Sequence, residues 1–471
     1  MSLVLLGIFA IASLRAFLWL IYPVEDEWRV LSPNNLGDLS LHLDFIRYFA
    51  SGVAFWPASP ILAGTPLCYP LGMDLFNGML AHLGVPVERG LVWAGLGGAA
   101  LAAWALWRWG GAFALAAFLF AGGLAGFQVF QTGKIEDFQS ALAWKNLFLA
   151  MFVTQRGLLY ALPCGLFLLG AWRDDFFRAG SGVPRPLQFL LYATLPLFSV
   201  HAFVFLSLVL FAIFLAGRPA RLSLLIFVGC AVPPATLAVF LVTGGFSSAS
   251  GLRWLPGWMQ DDAGWTFWVV NFGISLPLLV FLAGKVIAGH NREARVFAGT
   301  GLAVFILCFC FACAPWEWDN TKLLVWAWIV CAPFLWSLVV QPLPALPRAL
   351  LCLVLFFSGA VSLVGGLDGR HGYKLILRSE LSAAARELRD VPPHDRIAID
   401  PTYNNPALLL GRPVLCGYEG HLWSHGLNYR RQWDDLHAIL RRAPGWEEMA
   451  RSHNVKWIYG VGSPAVKIPD R

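Results

Sequence analysis

The sequence predicts an all-α polytopic membrane protein with a small C-terminal α/β extracytoplasmic domain, and three observations carry that prediction. First, 58% of the 471 residues are apolar and only 13% are charged, whereas a soluble domain carries about 25% charged residues. Second, apolar runs recur at the length of about 20 residues that crosses a bilayer. Third, residues 371–471 change to short, alternating helix and strand periods. The formal charge of +6 lies mostly in short loops and the C-terminal tail. It therefore speaks of topology, and no nucleic-acid partner is expected. No G-x-x-x-x-G-K-[ST] or G-x-G-x-x-G phosphate loop is present.

The span candidates are 3–22, 91–107, 112–130, 157–172, 222–243, 264–284, 296–314, 322–340 and 348–366. The first lacks a basic leader and a small-residue cleavage pattern, so it reads as a retained span. Two stretches are awkward. Residues 70–84 are short and carry Asp74 and Asn77, and 187–217 are too long for one upright span and contain Pro196 and His201. Basic residues decide between the alternatives. Arg108, the segments 173–185, 218–221 and 285–295, and Arg348 all face the cytoplasm under one arrangement only. In it, 70–84 dips in and returns, and 187–217 is two short helices turning near Ser199, Val200 and His201. The chain then has about eleven spans. Residues 1–370 form the membrane body with external loops 23–69 and 131–156, and 371–471 form the external domain. Most of the nine cysteines lie in apolar runs, and Cys308, Cys310 and Cys313 read as small apolar filler.

The stretch 33–72 stands out in the N-terminal half. It holds Asp38, His42, Asp44 and Arg47, then an aromatic, proline-rich run to Tyr69 and Pro70. Apolar residues at 39, 41, 43, 45, 46, 49 and 50 suit a short amphipathic helix lying at the membrane interface. Asp38 sits at its start, as cap or in the first turn. His42 follows one turn later on the same face, and Arg47 lies further round at the headgroup level. Taken singly, Asp38 reads as well as a cap, and Arg47 as a snorkelling side chain. Their company of Glu25, Asp26, Glu27 and Asp44 favours chemistry, with Asp26 and Glu27 as rivals for the part of Asp38.

These residues resemble the membrane-embedded glycosyltransferases of the GT-C fold, which use lipid-phosphate-linked sugars. Asp38, His42 and Arg47 match the acid, histidine and arginine in the first external loop of oligosaccharyltransferase catalytic subunits. Tyr69, Pro70 and Gly72 match the tyrosine-proline-x-glycine that follows. Bacterial membrane glycosyltransferases share the Gly37-Asp38 pair, the Ala63-Gly64 turn and Asp74 as well. The resemblance implies a GT-C-like body and transfer of a sugar from a polyprenyl-phosphate donor, with inversion. It also implies a glycan, lipid or protein acceptor on the periplasmic or external face of a bacterial inner membrane, with membrane lipids as surroundings. Catalysis falls on Asp38 with His42, and a divalent site for Mg²⁺ or Mn²⁺ falls on Glu136, Asp137 and Asp38. Carboxylates gathered in one cavity repel unless a cation or proton intervenes. The family's C-terminal tryptophan-tryptophan-aspartate-tyrosine-glycine motif is absent, which argues against a peptide sequon as acceptor.

The remaining candidates keep two readings each. Arg156, just before a span, grips a phosphate or anchors at the interface. His201 is a packing residue or a catalytic one. Arg253 with Asp261 and Asp262 contacts sugar or belongs to an interfacial belt. Lys322 clamps the donor phosphate or simply pairs with Asp319. In the C-terminal region the pattern predicts helices at 378–388, 432–440 and 446–453. Strands are expected at 396–400 and 455–459, with an edge strand at 412–415. The loop 417–426 carries Tyr418, Glu419, His421 and His425. It suits a sugar contact, a metal site or a structural turn, and the sugar contact is favoured. A transporter or flippase of a lipid-linked glycan is the alternative function. It needs a polar path through the span centres, yet the acids gather at one face, which favours an enzyme.

Overall fold

The computed structural model describes residues 2–178, 180–217, 221–245 and 252–469; the expected cytoplasmic Arg218 lies outside them. The apolar runs form helices, beginning with α1 (Ser2–Leu18). The loop 23–69 and the stretch after it supply α2 (Asn35–Ala50) and α3 (Gly72–His82). Then come α4 (Val87–Leu119), α5 (Leu158–Phe177), α6 (Arg185–Phe198), α7 (Val200–Ala216) and α8 (Arg221–Val242). The last of the series are α9 (Trp265–Phe272), α10 (Ser275–Ala288), α11 (Arg292–Cys310), α12 (Thr321–Leu335) and α13 (Ala345–Gly366). The chain is an integral membrane protein. Among the described residues five helices are long and apolar enough to cross a membrane, or six if the bent pair α9 and α10 is one span. The expected eleven included short and broken segments that this length does not reach.

The breaks have local causes. α4 is two helices end to end, because Gly110 and Gly111 leave helical geometry, Gly111 at φ 63°. Its second half stops at Leu119, short of the expected 130. The expected span 264–284 is bent by 91° between α9 and α10. Gly273 takes φ 51° there, and Asn271 just before it accepts hydrogen bonds from the backbone N–H groups of Ala143 and Trp144 at 2.8 and 2.9 Å. The expected hairpin in 187–217 is present. α6 ends at Phe198 and α7 starts at Val200, with the Ser199 hydroxyl capping the N–H of Ala202 at 3.2 Å. Tyr192 and Ser207 share a hydrogen bond of 2.7 Å across the pair, which fixes the two helices antiparallel.

The chain divides into two compact units. The first comprises Met1–Ala16, Gly95–Val239 and Ser250–Asp368. Its helices meet at small residues, as expected where lipid offers little hydrophobic drive between helices. A Cβ on Gly98 would stand 2.8 Å from that of Leu159, and one on Gly301 would stand 2.7 Å from the sulfur of Cys331. Gly359 of α13 lies against the carbonyls of Phe120 and Ala121, Gly126 against Ser358, and Gly365 against the backbone of Glu136.

The second unit comprises Phe17–Ala94, Phe240–Ala249 and Gly369–Arg471. Strands β1 (Tyr22–Val24), β2 (Glu27–Val30) and β3 (Tyr373–Leu377) form an antiparallel sheet with β2 in the centre. Its C-terminal elements are α14 (Arg378–Glu387), β4 (Arg396–Ala398), α15 (Glu419–Ser424), α16 (Arg430–Leu440), α17 (Trp446–Ser452), β5 (Val455–Ile458) and β6 (Val466–Lys467). β5 pairs in parallel with β4 and antiparallel with β6, so the expected closing strand is central. The expected edge strand 412–415 is coil with one bridge, Ile397 to Val414.

The largest departure concerns α2. Its polar positions are not on an exposed face, since Leu39, Leu41, His42, Leu43, Asp44, Phe45 and Ile46 are all buried. Leu41 and Phe45 share one apolar core with Ile397, Leu415, Leu422 and Leu436. The apolar core of residues 384–468 is thus shared with residues 41–71 of the N-terminal loop. The small-residue crossings in the first unit give a test. Gly359→Val would force two backbones apart, and overpacking of this kind costs about 1–3 kcal/mol. We expect the detergent-purified variant to melt several degrees lower than wild type. An unchanged melting temperature would mean that α13 is free to shift.

Candidate active site

The second unit builds its polar centre on α2. Asn34 stands at the cap position without a side-chain cap bond, and Asp38, half-buried, lies in the first turn, where the helix dipole favours an anion. One turn on, His42 is 3% exposed and Asp74, in the first turn of α3, is 1% exposed. His42 Nδ1 lies 2.9 Å from each carboxylate oxygen of Asp74. An ionised carboxylate only accepts, so Nδ1 carries the hydrogen and donates it to Asp74. Packing two such groups in the core is tolerable only because each satisfies the other.

Aromatic rings close around this pair. Tyr69 lies edge-on to His42 at 6.0 Å between centroids, and 4.7 Å from His425. His421 Nε2 donates to the carbonyl of Gly37 at 3.1 Å, which ties α15 to the residue before Asp38. Burial, helped by nearby His42, pushes the His421 pKa down to about 4. His421 is therefore a neutral tether. Tyr418 is partly exposed and stands edge-on to His421 at 5.1 Å. Glu419 accepts from the Tyr429 hydroxyl at 2.7 Å and pairs with Arg430 at 3.0 Å, which commits it to the fold.

Several sequence-predicted residues have other employment. Arg47 is engaged within the second unit. Its guanidinium donates to the Leu409 carbonyl and stands 3.5 Å from Glu88. Asp26 caps α14, accepting from the Ser379 N–H at 3.0 Å and from the Ser379 hydroxyl. Glu27 pairs with Arg29 at 2.7 Å. Both upstream rivals of Asp38 thus hold the β-sheet region together.

In the first unit, Glu136 is exposed and Asp137 is half-buried, accepting from the Gln139 amide at 2.6 Å. Burial raises the Asp137 pKa above the usual carboxylate range. Arg156 is 1% exposed, directly before α5. Lys322 pairs with Asp319 at 3.0 Å, as one of its two readings had it. Arg253 pairs with Glu317 at 2.7 Å. Among the described residues, no group of three His, Cys, Asp or Glu side chains stands together as a metal ion requires. Of the expected donors, Glu136 and Asp137 belong to the first unit and Asp38 to the second.

Sequence reasoning missed the His42–Asp74 contact and the ring contacts of Tyr69. The signal for the first was an acid inside an otherwise apolar segment, which calls for a partner. Asp44 is a further surprise. It is 1% exposed, and neither carboxylate oxygen has a hydrogen-bond partner among the described residues. Burial holds its pKa well above the usual carboxylate range. A folded-state pKa raised in this way means that ionisation opposes folding. The stability it withholds is absent at low pH and grows as pH rises above the unfolded value of about 4. We expect the melting temperature of wild type to fall relative to Asp44→Asn between pH 5 and pH 8. Parallel curves for the two proteins would contradict a buried, unpartnered Asp44.

No family model matches the chain, and no curated protein matches it. Among the solved structures that match the chain are two crystal structures. One is the crystal structure of ArnT from Cupriavidus metallidurans bound to undecaprenyl phosphate. It is 14% identical with a TM-score of 0.48, over 90% of this chain and 87% of that one. The other is the crystal structure of the Archaeoglobus fulgidus oligosaccharyltransferase in the apo form. It is 12% identical with a TM-score of 0.46, over 97% of this chain and 69% of that one.

Proposed function

We propose that the protein transfers a sugar from a polyprenyl-phosphate-linked donor to an acceptor on the non-cytoplasmic face of the membrane. The observation that carries this reading is the α2 cluster, with Asp38 one turn from a His42 that is locked to buried Asp74. A packing role needs none of these polar groups, and their placement inside an apolar core has to be offset by something they do. Asp38 is the general base. It takes the proton of the acceptor hydroxyl or amine as that atom attacks the anomeric carbon. The bond from that carbon to the phosphate oxygen breaks, and polyprenyl phosphate leaves with the electron pair. His42, oriented by Asp74, positions the acceptor, and the rings of Tyr69, His425 and Tyr418 suit the face of a sugar. Charge grows on the leaving phosphate. The resemblance assigns its stabilisation to Arg156 and Lys322 of the first unit, the latter already sharing its charge with Asp319.

Replacement of Asp38 separates chemistry from folding. Asp38→Asn keeps size and hydrogen-bonding ability while removing charge and basicity, so turnover should fall about 10²–10⁴-fold in protein that still folds. Asp26→Asn and Glu27→Gln should keep near-normal turnover and lose only some stability. The check is the transfer rate from labelled polyprenyl-phosphate sugars, normalised to folded protein. Normal turnover of Asp38→Asn with collapse of either neighbour would move the active centre upstream.

The face is tested separately. Arg292 and Trp423 are both exposed, so single cysteines there are accessible to reagents. On intact cells, an impermeant thiol reagent should label Trp423→Cys and leave Arg292→Cys untouched. Labelling of Arg292→Cys from outside would reverse the orientation.

A further inference from the structure

The end of the first unit that carries the basic segments around Arg108 and 173–185 holds a cavity of about 390 Å³ between α4, α5 and the chain after α5. Three guanidinium groups line it, from Arg108, Arg173 and Arg178, against the single lining carboxylate of Asp174. The indoles of Trp104 and Trp109 form part of its wall. We propose that this cavity binds the phosphate of an anionic membrane lipid, in the leaflet that faces the basic loops.

The charges leave one cation to spare. Arg173 pairs with Glu293 and lies over the rings of Trp109 and Phe334, at 5.2 and 5.1 Å. Arg178 stands 3.2 Å from Asp174 and 3.5 Å from Glu293. Two arginines are thus balanced by two carboxylates and held in place by them. Arg108 is exposed and pairs with no carboxylate among the described residues. A guanidinium fork matches phosphate oxygens two at a time, and the fixed pair beside it presents further N–H donors.

The walls favour a lipid over a free phosphate ion. Trp104 is 45% exposed and stacks on Phe167 at 6.1 Å, the amphipathic surface that settles at headgroup depth. Basic pockets between membrane helices on the cytoplasmic side are where acidic headgroups dock. The volume lies within the range of about 300–1,000 Å³ that holds small ligands. Gly170 of α5 opens into it, since a Cβ there would meet nothing within 4 Å. The site is also distinct from the phosphate role proposed for Arg156. α5 separates Arg156 from Arg173 by about 25 Å along its axis, close to the thickness of the hydrocarbon core.

The test counts lipid retained by the purified full-length protein, by native mass spectrometry in mild detergent. The probes are phosphatidylglycerol, phosphatidylcholine with the same chains, and inorganic phosphate. Wild type should keep phosphatidylglycerol in preference to phosphatidylcholine. Gly170→Phe, which fills the cavity, should lose it. Arg108→Gln should weaken retention roughly tenfold, as for loss of one charge-assisted contact, with an unchanged elution profile. If Gly170→Phe does not fold, the exposed Arg108 substitution decides alone. Equal retention by wild type and Arg108→Gln, or equal retention of the two lipids, overturns the proposal. Displacement of the lipid by millimolar inorganic phosphate overturns the lipid assignment in favour of a simple anion site.

Discussion

The hydrogen-bonded pair of His42 and Asp74 is the interaction on which the second unit depends. It joins α2 to α3 at a depth where neither side chain meets water, 2.9 Å apart. Removing either partner would strand the other in an apolar core, at a cost of about 1–3 kcal/mol and more if it stays charged. With the pair in place α2 is fixed in rotation as well as position. Asp38 is then held one turn above His42, and His421 can bond the Gly37 carbonyl.

The two units meet the same need for close packing by different means. Around α2 the driving force is burial of large side chains, with Leu41, Phe45, Ile397 and Leu436 in one core. In the membrane helices the gain comes from backbone proximity at Gly98, Gly301 and Gly359. That difference explains where ionic groups are found. Arg173, Arg178 and Lys322 lie at helix ends, each beside a carboxylate. The one buried acid without a hydrogen-bond partner among the described residues, Asp44, sits in the unit built on side-chain burial.

The membrane helices were legible because a bilayer imposes both length and composition on the chain. The Ser199 break was legible because charge on the flanking loops admits few arrangements. The bend at Gly273 was not, since a single positive φ leaves no mark on hydropathy. The nature of α2 was misjudged for a related reason. Periodicity records which face is apolar, but its polar positions at 42 and 44 are buried against other parts of the chain, and no local pattern contains that. Asp38, His42 and His425 could be picked out as residues of interest from the loop motifs. That Glu419 and Asp26 serve the fold depended on contacts with Tyr429, Arg430 and Ser379. Asp26 and Ser379 are far apart in sequence.

The sheet in the second unit has a consequence for how the protein is made. Strand β2 pairs with β3 through Trp28 and Ile376, and Asp26 caps the helix that follows β3. At a synthesis rate of about 5–20 residues per second, the N-terminal loop waits roughly 20–70 s before its partner strand leaves the ribosome. During that interval α2 has no apolar core to enter, and β2 has an open edge. The membrane helices are laid down in order while the polar centre is still incomplete. A chain released before the last hundred residues would carry its spans, Asp38 and the His42–Asp74 pair, but not the Tyr418, His421 and His425 that stand around them.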